Sequence, residues 1–302
     1  MRQNRLGQSE LEVSEIGLGC MSLGTDKAQA VYLIHEALER GVQFLDTADL
    51  YDEGRNEEIV GEAIRGRRSD VVLATKVGNR REPGQQGWTW DPSKAYIKSA
   101  VKGSLKRLQT DYIDLYQLHG GTLNDPIDET IEAFEELKQE GVIRQYGISS
   151  IRPNVIREYA ERSHIVSVMS QYSILDRRPE ETVLPLLEEK GISMIVRGPV
   201  AKGLLTERGA DKAEKGYLDY DKDQLLTVLE RLSELSGGKR ALAHTAIRYA
   251  LSSPAVACAI PGASSLEQLL QNMAAGEAKE LTAYELEAIR QISLSGKYEQ
   301  HR

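Results

Sequence analysis

One local pattern occurs three times along the chain and restricts its fold more than any other feature. Residues 39–42, 139–142 and 189–192 read Glu-Arg-Gly-Val, Gln-Glu-Gly-Val and Glu-Lys-Gly-Ile. Glycine suits the left-handed conformation that ends many helices, and β-branched residues favour strands. The pattern therefore predicts helices that lead directly into strands, as in a fold of alternating β and α elements.

Eight short apolar runs fit the strands of such a fold. Most are continuously apolar, as expected of parallel strands that are buried on both faces. We predict strands at residues 15–19, 42–46, 71–76, 113–118, 144–149, 166–171, 193–197 and 256–260.

Amphipathic helices are predicted between these strands, because apolar residues recur every three or four positions. The clearest stripes cover residues 31–38, 97–108, 127–137 and 225–232. Right-handed crossovers then lead either to an open doubly wound sheet or to a closed barrel, and periodicity alone does not choose between them. No linker divides residues 1–302, so we expect one domain. Long loops are predicted at 79–90, 120–125 and 206–223.

Composition excludes several classes of function. The net charge of −8 disfavours a general nucleic-acid surface, which needs basic patches. Residues 1–10 lack the apolar core of a signal peptide, and no apolar run approaches the roughly 20 residues of a membrane helix. Cys20 and Cys258 have no partners at metal-binding spacing, so we expect packing residues and no metal. These features predict a cytoplasmic protein without membrane partners, and they carry no signature of oligomeric state.

Polar side chains follow three of the predicted strands. Asp46, Lys76 and His119 stand at the ends of the second, third and fourth strands, and Tyr51 follows Asp46 by five residues. Because parallel neighbouring strands end at the same rim, these four residues are expected to meet there. Each alone has an ordinary structural explanation, as a turn residue, a solvated charge or a packing residue.

The combination of the four suits proton delivery to a carbonyl oxygen. A tyrosine titrates near 10, and a neighbouring lysine ammonium is expected to lower that pKa by stabilising the phenolate. An aspartate would keep the lysine charged and oriented. A histidine would hydrogen-bond the carbonyl or relay a proton.

Motifs along nearly the whole chain resemble the aldo-keto reductase family. They lie at residues 16–19 (Ile-Gly-Leu-Gly), 44–48 (Phe-Leu-Asp-Thr-Ala) with Tyr51, 76–78 (Lys-Val-Gly), 112–119 (Tyr-Ile-Asp-Leu-Tyr-Gln-Leu-His), 141–144, 147–149, Tyr172 with Arg177, 203–206, 260–262 and Asn272. The resemblance implies an α/β fold, a (β/α)₈ TIM-type barrel with a short N-terminal β-hairpin near residues 5–14. It also implies an NADP(H)-dependent oxidoreductase in which Tyr51 is the general acid, Lys76 and Asp46 tune it and His119 orients an aldehyde or ketone.

The same resemblance predicts the cofactor site. A dinucleotide signal of the Gly-x-Gly-x-x-Gly kind is weak here, because Gly17, Gly19 and Gly24 have the wrong spacing. The family's contacts come instead from strand ends and the loops that follow them. They correspond to Gly19, Cys20, Met21, Asp46, Ser149, Gln171, Arg197, Gly198, Val200, Lys202, Gly203, Leu204, Gly262, Ser264, Ser265, Gln268, Gln271 and Asn272.

Three positions depart from the family pattern. Ser150 replaces the usual asparagine, and the register from Tyr172 puts Met169 where the family has a glutamine, with Gln171 two residues further on. Arg197 replaces an aromatic residue that stacks on the nicotinamide. A planar guanidinium can stack in the same way and would raise the reduction potential of the cofactor, or it can pair with a carboxylate.

The phosphate side of the cofactor site also differs from the family. Gly262 and Gln268 are neutral where the family often has a basic pair for the 2′-phosphate of NADPH. Lys202 is predicted to neutralise the pyrophosphate, and a helix over residues 266–273 would offer free N–H groups to an anion. We predict NADPH, with NADH as the alternative.

For the substrate pocket, the sequence predicts walls but no specific substrate. Trp88 and Trp90 follow the third strand and are predicted to line the pocket of a small carbonyl substrate, and the charged segment 212–223 is either a lid or a solvated loop. Two other functions stay open. One is a nicotinamide-binding redox sensor with little turnover, and the other is a cofactor-independent isomerase.

Overall fold

The computed structural model describes residues 1–81 and 87–302. In these ranges the strands are β1 (Gln3–Arg5), β2 (Glu12–Ser14), β3 (Leu18–Gly19), β4 (Phe44–Asp46), β5 (Val72–Val77), β6 (Asn79–Arg80), β7 (Thr89–Trp90), β8 (Ile113–Leu118), β9 (Ile143–Ser149), β10 (Ser167–Gln171), β11 (Ser193–Arg197) and β12 (Val256–Ile260). The helices are α1 (Lys27–Glu39), α2 (Arg55–Ala63), α3 (Lys94–Leu108), α4 (Ile127–Gln139), α5 (Pro153–Arg162), α6 (Pro179–Lys190), α7 (Lys222–Ser236), α8 (Leu242–Ala250), α9 (Leu266–Ala274) and α10 (Ala283–Ile292).

Eight parallel strands form one sheet in the order β12-β11-β10-β9-β8-β5-β4-β3. The two edges of this sheet meet, because parallel bridges join Ile16 to Ala259 and Gly19 to Gly262. The Gly17 amide donates to the Ala259 carbonyl over 2.9 Å. The sheet is therefore a (β/α)₈ barrel, which confirms the predicted fold and excludes the open doubly wound sheet.

Each of the eight predicted barrel strands occurs, and the first is shorter than predicted. Only Leu18 and Gly19 pair with β4. Glu15 and Gly17, which precede them, bond instead to Ala259 and so close the barrel. The predicted strand is longer than the observed one because Glu15 and Gly17 bond to β12 across the closure of the barrel and do not pair with β4.

The repeated glycine pattern marks helix ends, as predicted. Gly41, Gly141 and Gly191 follow α1, α4 and α6 with φ of +84°, +73° and +64°. L-residues with a side chain rarely adopt this conformation. Each glycine lets the chain reverse at the end of a helix and enter the next strand.

Two apolar clusters hold the barrel together. The larger lies between the sheet and the surrounding helices. The smaller fills the barrel interior and contains Phe44, Leu115, Met169 and Ile195, all of them buried. The antiparallel hairpin of β1 and β2 covers the N-terminal end of the barrel with its own apolar residues.

The three long loops lie between barrel strands and the helices that follow them. Residues 79–90 contain the short antiparallel pair β6 and β7, and the predicted loop positions 82–86 lie outside the described residues. Residues 206–223 contain a 3-10 helix at Ala210–Lys215. In the part of the chain that is described, no helix has the length and apolar character needed to span a membrane.

Candidate active site

The four residues predicted to carry chemistry lie together at the C-terminal end of the barrel. Asp46 is the last residue of β4, Lys76 lies near the end of β5, and His119 directly follows β8. These strands are parallel neighbours. Their ends therefore bring the three side chains to one rim, as the sequence predicts.

The ammonium of Lys76 is the centre of the site. Its Nζ donates to Oδ2 of Asp46 over 2.6 Å, to the carbonyl of Thr47 over 2.8 Å and to the hydroxyl of Tyr51 over 3.1 Å. An ammonium has three N–H donors, so each has one partner. Lys76 is fully buried, and Asp46 is 3% exposed. The ion pair thus holds a charged lysine against the phenol in a site with little water.

Gln117 also takes part in the site, and the sequence reading did not include it. It is fully buried, pairs with Lys76 across the strands, and its Nε2 lies 3.4 Å from Oδ1 of Asp46. It stands two residues before His119. The alternation of side chains along a strand would have placed both residues on the same face of the sheet.

The loop that carries Tyr51 is strained. Asp52 and Glu53 directly after it have φ of +47° and +59°. Such non-glycine conformations cost roughly 1–3 kcal/mol each and cluster at functional sites. The turn directs the Tyr51 ring back over the rim, where it meets the His119 ring edge to face at 5.9 Å between centroids.

Burial raises the pKa of Tyr51 above its ordinary value, although Lys76 and Arg197 act to lower it. Lys76 acts in the direction that the sequence predicts, but burial and the charge of Asp46 raise the pKa of Tyr51 by more than Lys76 and Arg197 lower it. The sequence alone does not show the loss of hydration that penalises the phenolate. The phenol is therefore a neutral proton donor at physiological pH.

His119 is a neutral imidazole. Burial, followed by the charges of Lys76 and Arg197, lowers its pKa to about 3. Its Nδ1 is buried and has no hydrogen-bond partner among the described residues. The ring is therefore available for hydrogen bonding and is not committed to the structure around it.

Gln171 and Arg197 stand side by side at the ends of β10 and β11. Nη1 of Arg197 donates to Oε1 of Gln171 over 3.0 Å. Within residues 1–81 and 87–302, no carboxylate lies within ion-pair distance of Arg197, so the alternative of a carboxylate pair is wrong. Met169 is level with Ser149 in register but is 1% exposed in the barrel interior. Of Met169 and Gln171, only Gln171 has a side-chain amide, and it lies at the rim.

The loop after β11 is the second strained segment of the site. Gly198 and Gly203 have φ of +65° and +85°, and the non-glycine residues Ala201 and Lys202 between them have +48° and +57°. Val200 is partly exposed and Leu204 is buried, so their side chains anchor the loop to different degrees. The result is a tight curve of backbone at the barrel rim.

Lys212 reaches this loop from segment 206–223. Its Nζ lies 3.5 Å from the carbonyl of Lys202, and it stands where a side chain on Gly203 would begin. The sequence predicts that it is part of a charged lid or a solvated loop. The structure thus places the Lys212 ammonium against the backbone of the loop after β11, a contact that no sequence motif indicates.

Residues of the predicted phosphate side surround the start of α9. The hydroxyl of Ser265 accepts from the Gln268 amide, and Oε1 of Gln268 accepts from the Ser264 amide over 2.9 Å. Nδ2 of Asn272 donates to the Gly262 carbonyl over 3.1 Å. These contacts order the helix start without adding a positive charge.

The remaining predicted cofactor residues lie at the same end of the barrel but differ in exposure. Cys20 is fully buried, whereas Met21 is 62% exposed. Ser149 is partly exposed at the end of β9. Nε2 of Gln271 donates to Glu207 over 2.6 Å, so this amide is already engaged.

The two tryptophans have different surroundings. Nε1 of Trp90 donates to Asp125 over 3.0 Å, and its ring covers Gly78, where a Cβ would lie 2.5 Å away. Trp88 is 53% exposed. Trp90 therefore ties two loops together, and Trp88 is the more exposed of the two tryptophans.

Large apolar side chains are exposed in five different loops around the barrel mouth. Each loop follows a different barrel strand, namely β3, β5, β8, β9 and β11. The five side chains are Met21, Trp88, Leu123, Ile151 and Leu218. Their distribution gives the mouth an apolar border around a polar centre.

Comparison with known proteins places this arrangement in a family. The profile of the Aldo/keto reductase family matches residues 15–294. Of two similar proteins of Bacillus subtilis (strain 168), the uncharacterized oxidoreductase YqkF is 58% identical and aligns over 100% of both chains. The aldo-keto reductase YhdN is 33% identical over 89% of this chain and 87% of that one.

A similar fold occurs in a solved structure. The holo form of aldo-keto reductase AKR11C1 from Bacillus halodurans superposes with a TM-score of 0.96 at 60% identity, covering 100% of this chain and 99% of that one. Its apo form gives a TM-score of 0.87 at 55% identity, with the same coverage. The chain therefore belongs to the aldo/keto reductase family, a family of oxidoreductases.

Proposed function

We propose that the protein is an NADPH-dependent carbonyl reductase in which Tyr51 donates the proton. One observation carries the proposal, namely the buried ammonium of Lys76 held between Asp46 and the Tyr51 hydroxyl. As carbonyl reduction leaves negative charge on oxygen, a neutral phenol next to a fixed positive charge is well suited to protonate it.

The residues present fit a nicotinamide cofactor, the kind of cofactor that aldo-keto reductases use. The tight curve of Gly198–Gly203 lies at the barrel rim with the ammonium of Lys212 against Gly203, and a positive charge there suits a phosphate group of the cofactor. The chain also superposes on a relative's holo form with a higher TM-score than on its apo form. When bound, a reduced nicotinamide supplies the hydride.

The remaining roles belong to the residues around Tyr51. Asp46 keeps Lys76 charged and oriented, because burial of that ammonium alone would favour loss of its proton. His119 offers a neutral ring nitrogen to the carbonyl oxygen, and neutrality keeps the imidazole from competing with Tyr51 as the acid. Arg197 faces the nicotinamide end from the rim.

The preference for NADPH over NADH rests on the start of α9. Nζ of Lys212 lies 3.5 Å from the carbonyl of Lys202 on the loop after β11, and this positive charge suits the pyrophosphate, which NADPH and NADH share. The backbone N–H groups at the start of α9, which follows the neighbouring strand β12, favour the 2′-phosphate that only NADPH carries. A single cofactor-binding measurement with NADPH and NADH under the same conditions decides this part of the proposal.

The apolar border of the mouth favours an aldehyde with an apolar substituent. A polar tail would leave the exposed side chains of Met21, Trp88 and Leu218 in contact with water. Burial of each methylene group contributes about 0.8 kcal/mol at most. For straight-chain aldehydes, kcat/KM should therefore rise with chain length, by up to about fourfold for each added methylene group.

The test is a cofactor-oxidation assay with purified protein, NADPH or NADH, and a series of aldehydes from polar to long-chain. We expect oxidation of the reduced cofactor that depends on the aldehyde. Binding of cofactor without turnover of any aldehyde would instead favour the redox-sensor function. Activity without any bound nicotinamide would favour the isomerase.

The pH dependence of reduction should show no ionisation near neutrality. The pKa of Tyr51 lies above its ordinary value of 10, so the acid stays protonated, and the pKa of His119 lies at about 3. We expect kcat to stay level from about pH 6 to about pH 9 and to decline only at higher pH. A limb with a midpoint near pH 7, measured at saturating cofactor, would contradict this assignment.

A further inference from the structure

We propose that Asp176 is a positioning residue that fixes the guanidinium of Arg197 through the amide of Gln171. The proposal rests on the proposed function, in which Arg197 faces the nicotinamide end of the cofactor. Gln171 and Arg197 end neighbouring strands and are partners in register. Asp176 lies five residues after Gln171, in the loop before α6.

A continuous chain of hydrogen bonds joins the three residues. Oδ2 of Asp176 accepts from Nε2 of Gln171 over 2.8 Å, and Oε1 of Gln171 accepts from Nη1 of Arg197 over 3.0 Å. Asp176 is 1% exposed, whereas the other two side chains are partly exposed. Asp176, at the buried end of this series of hydrogen bonds, is therefore the rigid end, and Arg197 is the end that reaches the site.

The charge of Asp176 determines which way the amide points, because the other partner of Nε2 of Gln171, the Tyr217 hydroxyl at 3.1 Å, can either accept or donate. A carboxylate only accepts hydrogen bonds, so it draws the NH₂ group of Gln171 and turns the carbonyl oxygen toward the guanidinium. The reversed amide would place N–H donors against N–H donors at Arg197. A neutral side chain at position 176 would not impose this choice.

An amide between Asp176 and Arg197 has a consequence that a direct ion pair would not have. Arg197 has no carboxylate within ion-pair distance among the described residues, so its positive charge is held in place without being neutralised. That charge acts on the two reactive rings, because it opposes the rise in the pKa of Tyr51 that burial causes and adds to the lowering of the pKa of His119. The Gln171 amide thus fixes the position of the Arg197 guanidinium without neutralising its positive charge.

Asp176, at the other end of the hydrogen bonds from Arg197, is itself held in place by Arg178. Nε and Nη2 of Arg178 hold the two carboxylate oxygens of Asp176 over 2.7 and 2.8 Å. The guanidinium of Arg178 lies over the ring of Tyr298, 4.8 Å from its centroid. A bidentate pair of this kind leaves the carboxylate little freedom to rotate.

The experiment is a double-mutant cycle on cofactor binding. Kd is measured for NADPH and for NADP⁺ by fluorescence titration of the wild type and of Asp176→Asn, Gln171→Met and Arg197→Met. Contacting residues in one network couple measurably, so we expect each of the first two variants to change the ratio of the two Kd values by about threefold or more, in the direction of Arg197→Met. Combined with Arg197→Met, neither should change the ratio further.

The controls separate positioning from stability. Gln171→Met leaves the pair of Asp176 and Arg178 intact, so it tests the chain even if Asp176→Asn folds poorly. Tyr172→Phe removes a neighbouring hydrogen bond to Glu180 that is not part of the chain, and it should leave the Kd ratio unchanged. A purely structural role for Asp176 would lower Tm and move both Kd values equally with and without Arg197.

The outcomes distinguish this proposal from the proposed function. Equal effects of Asp176→Asn in both backgrounds would overturn the positioning role and leave the reductase untouched. An unchanged Kd ratio in Arg197→Met would overturn the placement of Arg197 beside the nicotinamide, and with it the positioning role. Failure of the wild type to bind either cofactor would overturn the proposed function itself.

Discussion

Replacement of Tyr51 by phenylalanine is expected to lower kcat for aldehyde reduction by roughly 100-fold or more while leaving the protein folded. The change removes one hydroxyl, whose partner in the structure is the ammonium of Lys76 at 3.1 Å. Lys76 keeps its bonds to Asp46 and to the Thr47 carbonyl, so its charge stays compensated. The loss should therefore appear in the chemical step and far less in stability.

Tyr116→Phe is the matched control for this variant. Tyr116 is also buried, lies on β8, the strand that leads into His119, and packs against Phe134 of α4 on the outer side of the sheet. Its hydroxyl has no partner among the described residues. The two variants make the same chemical change, so kcat should fall only in Tyr51→Phe. A similar kcat in both variants would contradict the role of Tyr51 as acid.

Cofactor affinity adds a second readout. Tyr51→Phe should bind NADPH about as tightly as the wild type, because the proposed contacts to the cofactor come from other strand ends. A large loss of affinity together with kcat would mean that the ring positions the cofactor. Measurement of Kd by fluorescence titration beside the kinetic assay separates the two.

The barrel could be predicted from the sequence because its signals are local. The glycines at 41, 141 and 191 each mark a helix end, and each has the positive φ that the pattern implies. The closure of the sheet was not visible in the same way. It depends on bonds between Glu15, Gly17 and Ala259, residues more than 240 positions apart, and no local periodicity records such a contact.

The meeting of Asp46, Lys76 and His119 could be predicted because parallel strands end at one rim. The pKa of Tyr51 could not, because its direction depends on how far burial outweighs the ammonium. Sequence identifies the neighbouring charge but not the loss of water around the phenol. The same limit applies to Lys212, whose approach to Gly203 results from the folding of a long loop.

The partner of Arg197 could not be determined from the sequence. Its position in the sequence is compatible both with a guanidinium that stacks on the nicotinamide and with one that pairs with a carboxylate. The structure supplies an amide partner, Gln171, and through it a carboxylate one step removed. The hydrogen bonds that join Asp176, Gln171 and Arg197 depend on how the loop before α6 packs against the ends of β10 and β11, which no sequence motif records.

Replacement of Lys76 by methionine is expected to destabilise the fold by roughly 3–5 kcal/mol and to abolish measurable reduction. The variant leaves the Asp46 carboxylate 3% exposed with only a long contact to Gln117. A buried carboxylate without its ammonium is costly to keep charged, and hydrophobic packing of the methionine does not compensate for it. Chemical denaturation at neutral pH measures the loss.

The double variant Lys76→Met with Asp46→Leu separates charge from packing. It removes both ions, and replacing a buried pair by apolar residues is often neutral for stability. We expect it to recover most of the lost stability and none of the activity. The pH dependence gives an independent check: burial favours the protonated form of Asp46, so the contribution of Asp46 to the stability of the single variant should be most favourable at low pH. Relative to the double variant, the stability of the single variant should fall as pH rises above the ordinary carboxyl pKa, because its folded state then binds more protons than the unfolded one. The double variant should lack that slope, and equal stability of the two variants at neutral pH would show that the ion pair is not what the fold depends on here.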